Sequence, residues 1–159
     1  MADRKAAGDE PRIIADNRKA LLDYHVIETW EAGIALLGTE VKSIREGAVN
    51  LRDSYARLEN GEVWLLNVHI GPYSHTGNAS HAERRQRKLL MHRHEIRKLT
   101  GKVAEKGLTL VPLNLHFSKG KVKVSLALAK GKQTHDKRET IRRREVDRET
   151  RAAVKERSR

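Results

Sequence analysis

Two-residue apolar alternation, folded back on itself at a turn dipeptide, constrains this chain more than any other feature. Ala56 and Leu58 alternate with Arg57 and Glu59 as far as Asn60-Gly61. After that dipeptide Trp64, Leu66, Val68 and Ile70 alternate with Val63, Leu65, Asn67 and His69. Asn-Gly accepts the positive φ that both central residues of a type I′ turn require, so 54–70 reads as a β-hairpin. The face of Trp64, Leu66, Val68 and Ile70 is wholly apolar and the other turns polar toward its end, which describes a half-buried return strand. A second hairpin spans 108–129. Leu108, Leu110, Leu113, Leu115 and Phe117 carry its first arm, Pro112 marks an edge or bulge, and Lys119-Gly120 turns the chain. In the second arm Val122, Val124, Leu126 and Leu128 point to a core. Lys121, Lys123, Ser125 and Ala127 point away from it.

The remaining segments are arranged around these hairpins. β-Branched and aromatic residues from Leu22 through Thr29 predict a strand, extended as a bent or second strand by Gly33 to Leu37. Thr39 as N-cap, Glu40 in the first turn and Gly47 as a stop predict a short helix over about 40–46. Gly71-Pro72 ends the first hairpin, and 73–82 reads as a polar loop. A basic run, Arg84 to Lys88, precedes Leu89-Leu90-Met91. Ile96, Leu99 and Val103 then recur at i, i+3 and i+7, the stripe of a helix that Gly107 ends.

Residues 1–16 show no periodicity and read as a flexible N-terminal arm. From Asp136 onward the larger apolar residues are Ile141, Val146 and Val154, too few and too scattered for a core. Asp136 with Glu139 resembles a capping box, and the tail has neither Gly nor Pro. It is therefore expected to lack structure alone and to become helical on a partner. The inventory is mainly β: an antiparallel, OB-like β-barrel over 17–132 with two to three peripheral helices, and a basic tail over 133–159 that is disordered or conditionally helical.

With 159 residues the chain suffices for one domain. Its formal charge is +12, and residues 81–135 alone carry fourteen basic and three acidic groups. So concentrated a basic field is the footprint of a polyanion, with nucleic acid the default partner. Cysteine is absent, which removes disulfides, thiolate metal sites and a cysteine nucleophile. No stretch supplies the roughly 20 consecutive apolar residues of a spanning helix, and the N-terminus has no secretory h-region. A soluble, cytoplasmic, monomeric protein without membrane contact is expected.

Catalytic motifs are missing: there is no GxSxG, Walker loop or HExxH. His92-x-His94 on a strand, with His75 and His81 flanking the loop, raises a metal reading, but no third ligand has the spacing of a zinc site. No metal or cofactor is expected. Histidines amid Arg and Lys suit RNA contact better, and His92 is taken as a candidate. Glu28 with Glu31, or Asp53 with Glu59 or Glu62, could be nuclease carboxylates. Six aromatic residues make a poor base-stacking platform. A basic barrel with few rings should read phosphate, sugar and shape, which favours a structured RNA. A general structured-RNA binder or chaperone and an RNA-processing nuclease remain alternatives.

The motifs carry a resemblance along nearly the whole chain. Asn17-Arg18-Lys19-Ala20, Glu31-Ala32-Gly33-Ile34, Gly38 to Arg45, Asn50-Leu51 and Asp53-Ser54-Tyr55 come first. Arg87 to Leu90, Lys106-Gly107, Leu110 to Leu113, Ala129 to Lys132 and His135 to Arg138 follow in order. Together they resemble the SmpB family of SsrA-binding proteins. The resemblance implies a non-enzymatic adaptor that binds the tRNA-like domain of transfer-messenger RNA and carries it to stalled ribosomes for trans-translation. It implies an RNA face at Asn17, Arg18, Lys19, Glu31, Leu90 and Lys123, edged by Lys130, Gly131 and Lys132. It also implies a tail that contacts the ribosome, small-subunit rRNA included, beginning at His135, Asp136, Lys137 and Arg138. Gln133 departs from the family pattern, where a lysine is usual.

Overall fold

A computed structural model of the chain describes residues 12–73, 81–104 and 107–157. The elements in order are β1 (Arg12–Asp16), α1 (Arg18–Asp23), β2 (Tyr24–Ile34), α2 (Gly38–Arg45), β3 (Val49–Asn50), β4 (Tyr55–Glu59) and β5 (Glu62–Leu66). They continue with β6 (His69–Ile70), β7 (Arg87–Leu90), α3 (Arg93–Val103), β8 (Leu108–Ser118), β9 (Lys121–Gly131) and α4 (Thr134–Arg157). Strands β8, β4, β5, β7, β2 and β9 are neighbours in that order, and β9 returns to β8. This antiparallel ring is a closed OB-like barrel, which pairs its own edges. Its interior is filled by Val63, Leu65, Leu89, Leu110, Leu115, Val124, Leu126 and Leu128 from the strands and Ile44 and Leu99 from α2 and α3.

Both hairpins form where the sequence places them. Asn60 and Gly61 have φ of 52° and 73°, and Lys119 and Gly120 have 51° and 74°. Positive φ at both centres gives the turn a twist that matches the flanking strands. Pro112 lies at a bulge, where the β8–β9 register shifts before Asn114.

The first return strand differs from its sequence reading. Its core face is Val63 and Leu65, while Trp64 and Leu66 are only half-buried. Asn67 adopts φ 64° and reverses the phase, so Val68 and Ile70 turn back inward. The strand stops there, and Ile70 pairs with Val49 of β3 in a separate ribbon. One left-handed residue thus splits a continuous alternation into two strands with opposite inward faces.

The N-terminal region differs as well. Arg12–Asp16, expected within the flexible arm, is β1 and pairs with Asn114 to Phe117 of β8. β4 reaches β8 only at Leu110, which leaves the far half of β8 an open edge for a short apolar strand to complete. Leu22 and Asp23 belong to α1 rather than a strand. The Asn17 carboxamide caps that helix by accepting from the Ala20 N–H at 3.3 Å. β2 then runs unbroken from Tyr24 to Ile34 with a bulge between Val26 and Glu28. α2 starts two residues earlier than expected: Glu40 accepts from the Leu37 N–H at 2.8 Å, so Leu37 and not Thr39 is the cap.

The basic run 84–88 is not wholly outward. Arg87 is completely buried, and its Nε donates to Glu40 Oε2 at 2.5 Å. Its other nitrogens donate to the carbonyls of Val68, Arg85 and Glu83 at 2.9, 3.0 and 3.1 Å. Glu40, also fully buried, accepts from Arg85 through Oε1. Burial pushes the Glu40 carboxyl up, but the bonds from Arg85, Leu37 and Arg87 outweigh it and hold the group below the usual carboxylate range. This cluster ties α2 to β7 and to the residues before it.

Residues 134–157 form one helix, the state expected of the tail when it is docked. Glu139 with Arg143 and Asp147 with Arg151 have the acid-first i, i+4 spacing that supports a solvated helix. The first turn is anchored to α1 by Lys137 Nζ, 3.3 Å from Asp23 Oδ1. The polar loop expected over 73–82 lies mostly outside the described residues, as does His75.

Candidate nucleic-acid interface

Strand register builds the site. His116 of β8 pairs with Lys123 of β9, Lys123 with Gly33 of β2, and Gly33 with Leu90 of β7. One transverse row thus crosses four strands on the outer face of the barrel, and Glu31 lies two residues along β2 on the same face, opposite Ser125. The other end of this face is closed. There Ala20 of α1 covers Val111, Ala127 and Ala129 in a second small core. Ala127, read from sequence as pointing away from the core, is buried for this reason.

The open end and the flank of α3 enclose a groove of about 920 Å³. Glu31, Leu90, His92 and Lys123 line it together with Gly33, Trp30, Met91, His94, Glu95 and Lys98. Four of the residues singled out from sequence therefore share one site. Leu90 is 53% exposed, so it serves the groove and not the core. Gly33 permits that placement, because a Cβ there would lie 3.2 Å from Leu90 Cβ. Lys123 and Lys98 supply positive charge from a strand and a helix. The rings of His92 and His94 stack with centroids 5.5 Å apart. They occupy the N-cap and first turn of α3 rather than a strand, so the shared strand face required by the metal reading is absent.

Glu31 and Glu95 are the anionic members, and Glu31 is the one on the sheet. Its Oε2 lies 3.5 Å from His116 Nε2, and His116 Nδ1 is 2.9 Å from Asn114 Oδ1. Glu28 points elsewhere and is ion-paired with Lys102, whose ammonium also sits 5.7 Å from the centre of the Trp30 ring. Asp53, Glu59 and Glu62 pair with Lys19, Arg57 and Lys88 respectively. The carboxylates that a nuclease reading would pair thus each face a separate partner, a histidine for Glu31 and a lysine or arginine for the others. Among the described residues no three His, Asp or Glu side chains come together to hold a metal, and no helix is long and apolar enough to cross a membrane.

The other sequence-selected residues form a second patch around α1. Asn17 is buried and spends its side chain on structure: besides capping α1, its Nδ2 donates to the Pro112 carbonyl at 2.9 Å. Arg18 is exposed, and Lys19 Nζ donates to Asp53 Oδ1 at 2.7 Å. That bond and the lysine charge hold the Asp53 carboxyl below its usual range. Lys130 and Gly131 pair with His25 and Tyr24. Lys132 is tied inward: its Nζ donates to Thr140 Oγ1 at 2.7 Å and to the Leu21 carbonyl at 3.2 Å. Lys123 and Gly131 are eight residues apart on β9, roughly 26 Å at the usual strand rise. In the first turn of α4, Arg138 is exposed, His135 has a largely exposed side chain, and Asp136 lies within 3.6 Å of His25 Nε2.

Sequence reading missed His116 and Lys98, and it weighed His94 only as a metal ligand. Lys98 lies off the apolar stripe of α3 and so signals an outward face, but nothing local says which strand that face meets. His116 carries no local signal at all.

A small OB-like barrel with a polar groove that presents two lysines on its outer sheet, and a basic helical extension, belongs to the class of nucleic-acid-binding proteins. The model of the SmpB protein family matches residues 14–156. An SsrA-binding protein from Trichodesmium erythraeum is 59% identical over 96% of this chain and 98% of its own length. One from Syntrophobacter fumaroxidans is 57% identical over 92% and 91%. A chain in a solved structure of tmRNA-SmpB and the bacterial ribosome superposes with a TM-score of 0.65 at 52% identity, covering 81% of this chain and 94% of its own. The chain belongs to the SmpB family.

Proposed function

We propose that this chain is an RNA-binding adaptor of trans-translation. It binds the tRNA-like domain of transfer-messenger RNA and delivers it to stalled ribosomes, where the nascent chain is tagged and released. The observation that carries the reading is the groove: Lys123 and Lys98 flank an exposed Leu90 and an exposed carboxylate, Glu31. Cations fix a phosphate backbone in register, and a carboxylate accepts from a 2′-hydroxyl or an exocyclic amine. Leu90 offers an apolar contact to a ribose or base. Arg18, Lys19 and Lys130 extend the field along the barrel, while Asn17 and Lys132 position α1 and α4. His135, Asp136, Lys137 and Arg138 begin the segment that meets the ribosome. The chain acts by binding and not by catalysis, in the cytoplasm.

The test is competition at fixed, physiological salt, because phosphate contacts make affinity steeply salt-dependent. A labelled tRNA-like domain is challenged with excess ordinary tRNA and with an unrelated hairpin RNA. The expected result is resistance to both competitors by orders of magnitude. Equal displacement by any folded RNA overturns the adaptor reading in favour of a general RNA binder.

A further inference from the structure

Glu31 is a half-exposed carboxylate on a surface that must attract phosphates, and something must hold it where acceptance from RNA outweighs repulsion. The group behind it is His116, whose side chain is only 6% exposed although it stands on the outer face of the sheet. We propose that His116 is a positioning residue for RNA docking, acting through Glu31.

Three proton arrangements are compatible with these atoms. In the first, the ring is an imidazolium: Nδ1–H donates to Asn114 Oδ1 at 2.9 Å, and Nε2–H points at the Glu31 carboxylate. In the second, the ring is neutral, the Asn114 amide is turned about and donates to Nδ1, and Nε2–H again points at Glu31. The third is neutral with the proton on Nδ1 and sets the Nε2 lone pair against a carboxylate oxygen, which is repulsive. Both favourable arrangements present a donor to Glu31, and in both Asn114 fixes the ring.

Lys123 stands directly across the β8–β9 ladder from His116. β9, which carries Lys123, lies between the strands of His116 and Glu31, so the carboxylate leans across it toward the ring. The row His116, Lys123, Gly33, Leu90 therefore has a polar, buried end and an apolar, exposed end. The chemistry recognised between them is a ribose hydroxyl or base amine beside a phosphate. This inference rests on the adaptor reading.

The test is a double-mutant cycle in the full-length chain, read as affinity for the labelled tRNA-like domain at fixed salt. His116→Leu is expected to weaken binding about three- to tenfold, the scale of one lost polar contact. His116→Gln, whose amide can still donate to Glu31, is expected to retain most of the affinity. In a Glu31→Gln background, His116→Leu is expected to cost little more, because the two residues act as one unit. Should His116→Leu reduce the folded fraction, Asn114→Ala, which frees the ring without emptying its site, replaces it in the same cycle. Wild-type affinity in His116→Leu, or an equal loss in both backgrounds, overturns the positioning role while leaving the adaptor reading intact. Failure of the wild-type chain to prefer the tRNA-like domain overturns the adaptor reading and this inference with it.

Discussion

Replacing Arg87 by methionine isolates the energetics of the buried ion cluster. Methionine fills most of the aliphatic volume but carries no charge and no donor. The substitution strips Glu40 Oε2 of its partner at 2.5 Å. It also leaves the carbonyls of Val68, Arg85 and Glu83 without the donors they had at 2.9 to 3.1 Å. Removing one partner of a buried pair costs about 3–5 kcal/mol, because a desolvated charge stays behind. Arg85 still holds Glu40 Oε1 and its side chain is 31% exposed, so the lower end of that range is expected, about 3 kcal/mol. For a domain of this size that corresponds to a fall in Tm of roughly 6–12 °C. Urea unfolding followed by far-ultraviolet circular dichroism reads the loss as a lower midpoint at unchanged slope. Arg57→Ala is the control: Arg57 and Glu59 are both about half exposed, and such a pair contributes at most about 1 kcal/mol. Adding Glu40→Leu to Arg87→Met removes the stranded charge, so the double variant should be more stable than Arg87→Met alone. A loss for Arg87→Met no larger than that for Arg57→Ala, or a double variant worse than the sum of its parts, refutes the reasoning.

Three further outcomes are expected. Glu40 binds its proton less readily folded than unfolded, so its stabilisation is complete above the ordinary carboxylate range and is lost as pH falls through the folded value; Glu40→Gln should flatten that acid limb in a pH series of urea midpoints. Lys123→Ala should weaken binding of the tRNA-like domain and reduce the slope of log affinity against log salt by about 1, and an unchanged slope would mean that Lys123 meets no phosphate. Asn67→Val forces a β-branched residue to φ 64° and should cost about 1–2 kcal/mol, whereas Asn67→Gly should stay near wild type, both read by thermal unfolding.

Removing residues 136–159 separates the two halves of the functional reading. Binding of the tRNA-like domain should survive in a filter or anisotropy assay, while tagging in a reconstituted translation system should be abolished. Simultaneous loss of both would show that the barrel and the tail do not divide the work. The anchoring of α4 to α1 through Lys137 and Lys132 makes a small effect of truncation on α1 itself the expected side result.

The sequence by itself determined the local architecture. Asn60-Gly61 and Lys119-Gly120 turn where expected, and Val122, Val124, Leu126 and Leu128 face inward, because alternation and positive-φ turns are properties of the backbone within a few residues. It also exposed the basic field and, through the motifs, Glu31, Leu90 and Lys123. What it could not determine was the fate of side chains that depend on a distant strand. Arg87 sits in a run of exposed-looking cations yet is buried, because Glu40, forty-seven residues earlier and buried on α2, meets it together with the carbonyls of neighbouring turns. Ala127 alternates outward yet is covered, because α1 packs over that end of the sheet. The row from His116 to Leu90 exists only once the register of four strands is set. Periodicity tells a residue which way to point; closure of the barrel decides what it meets there.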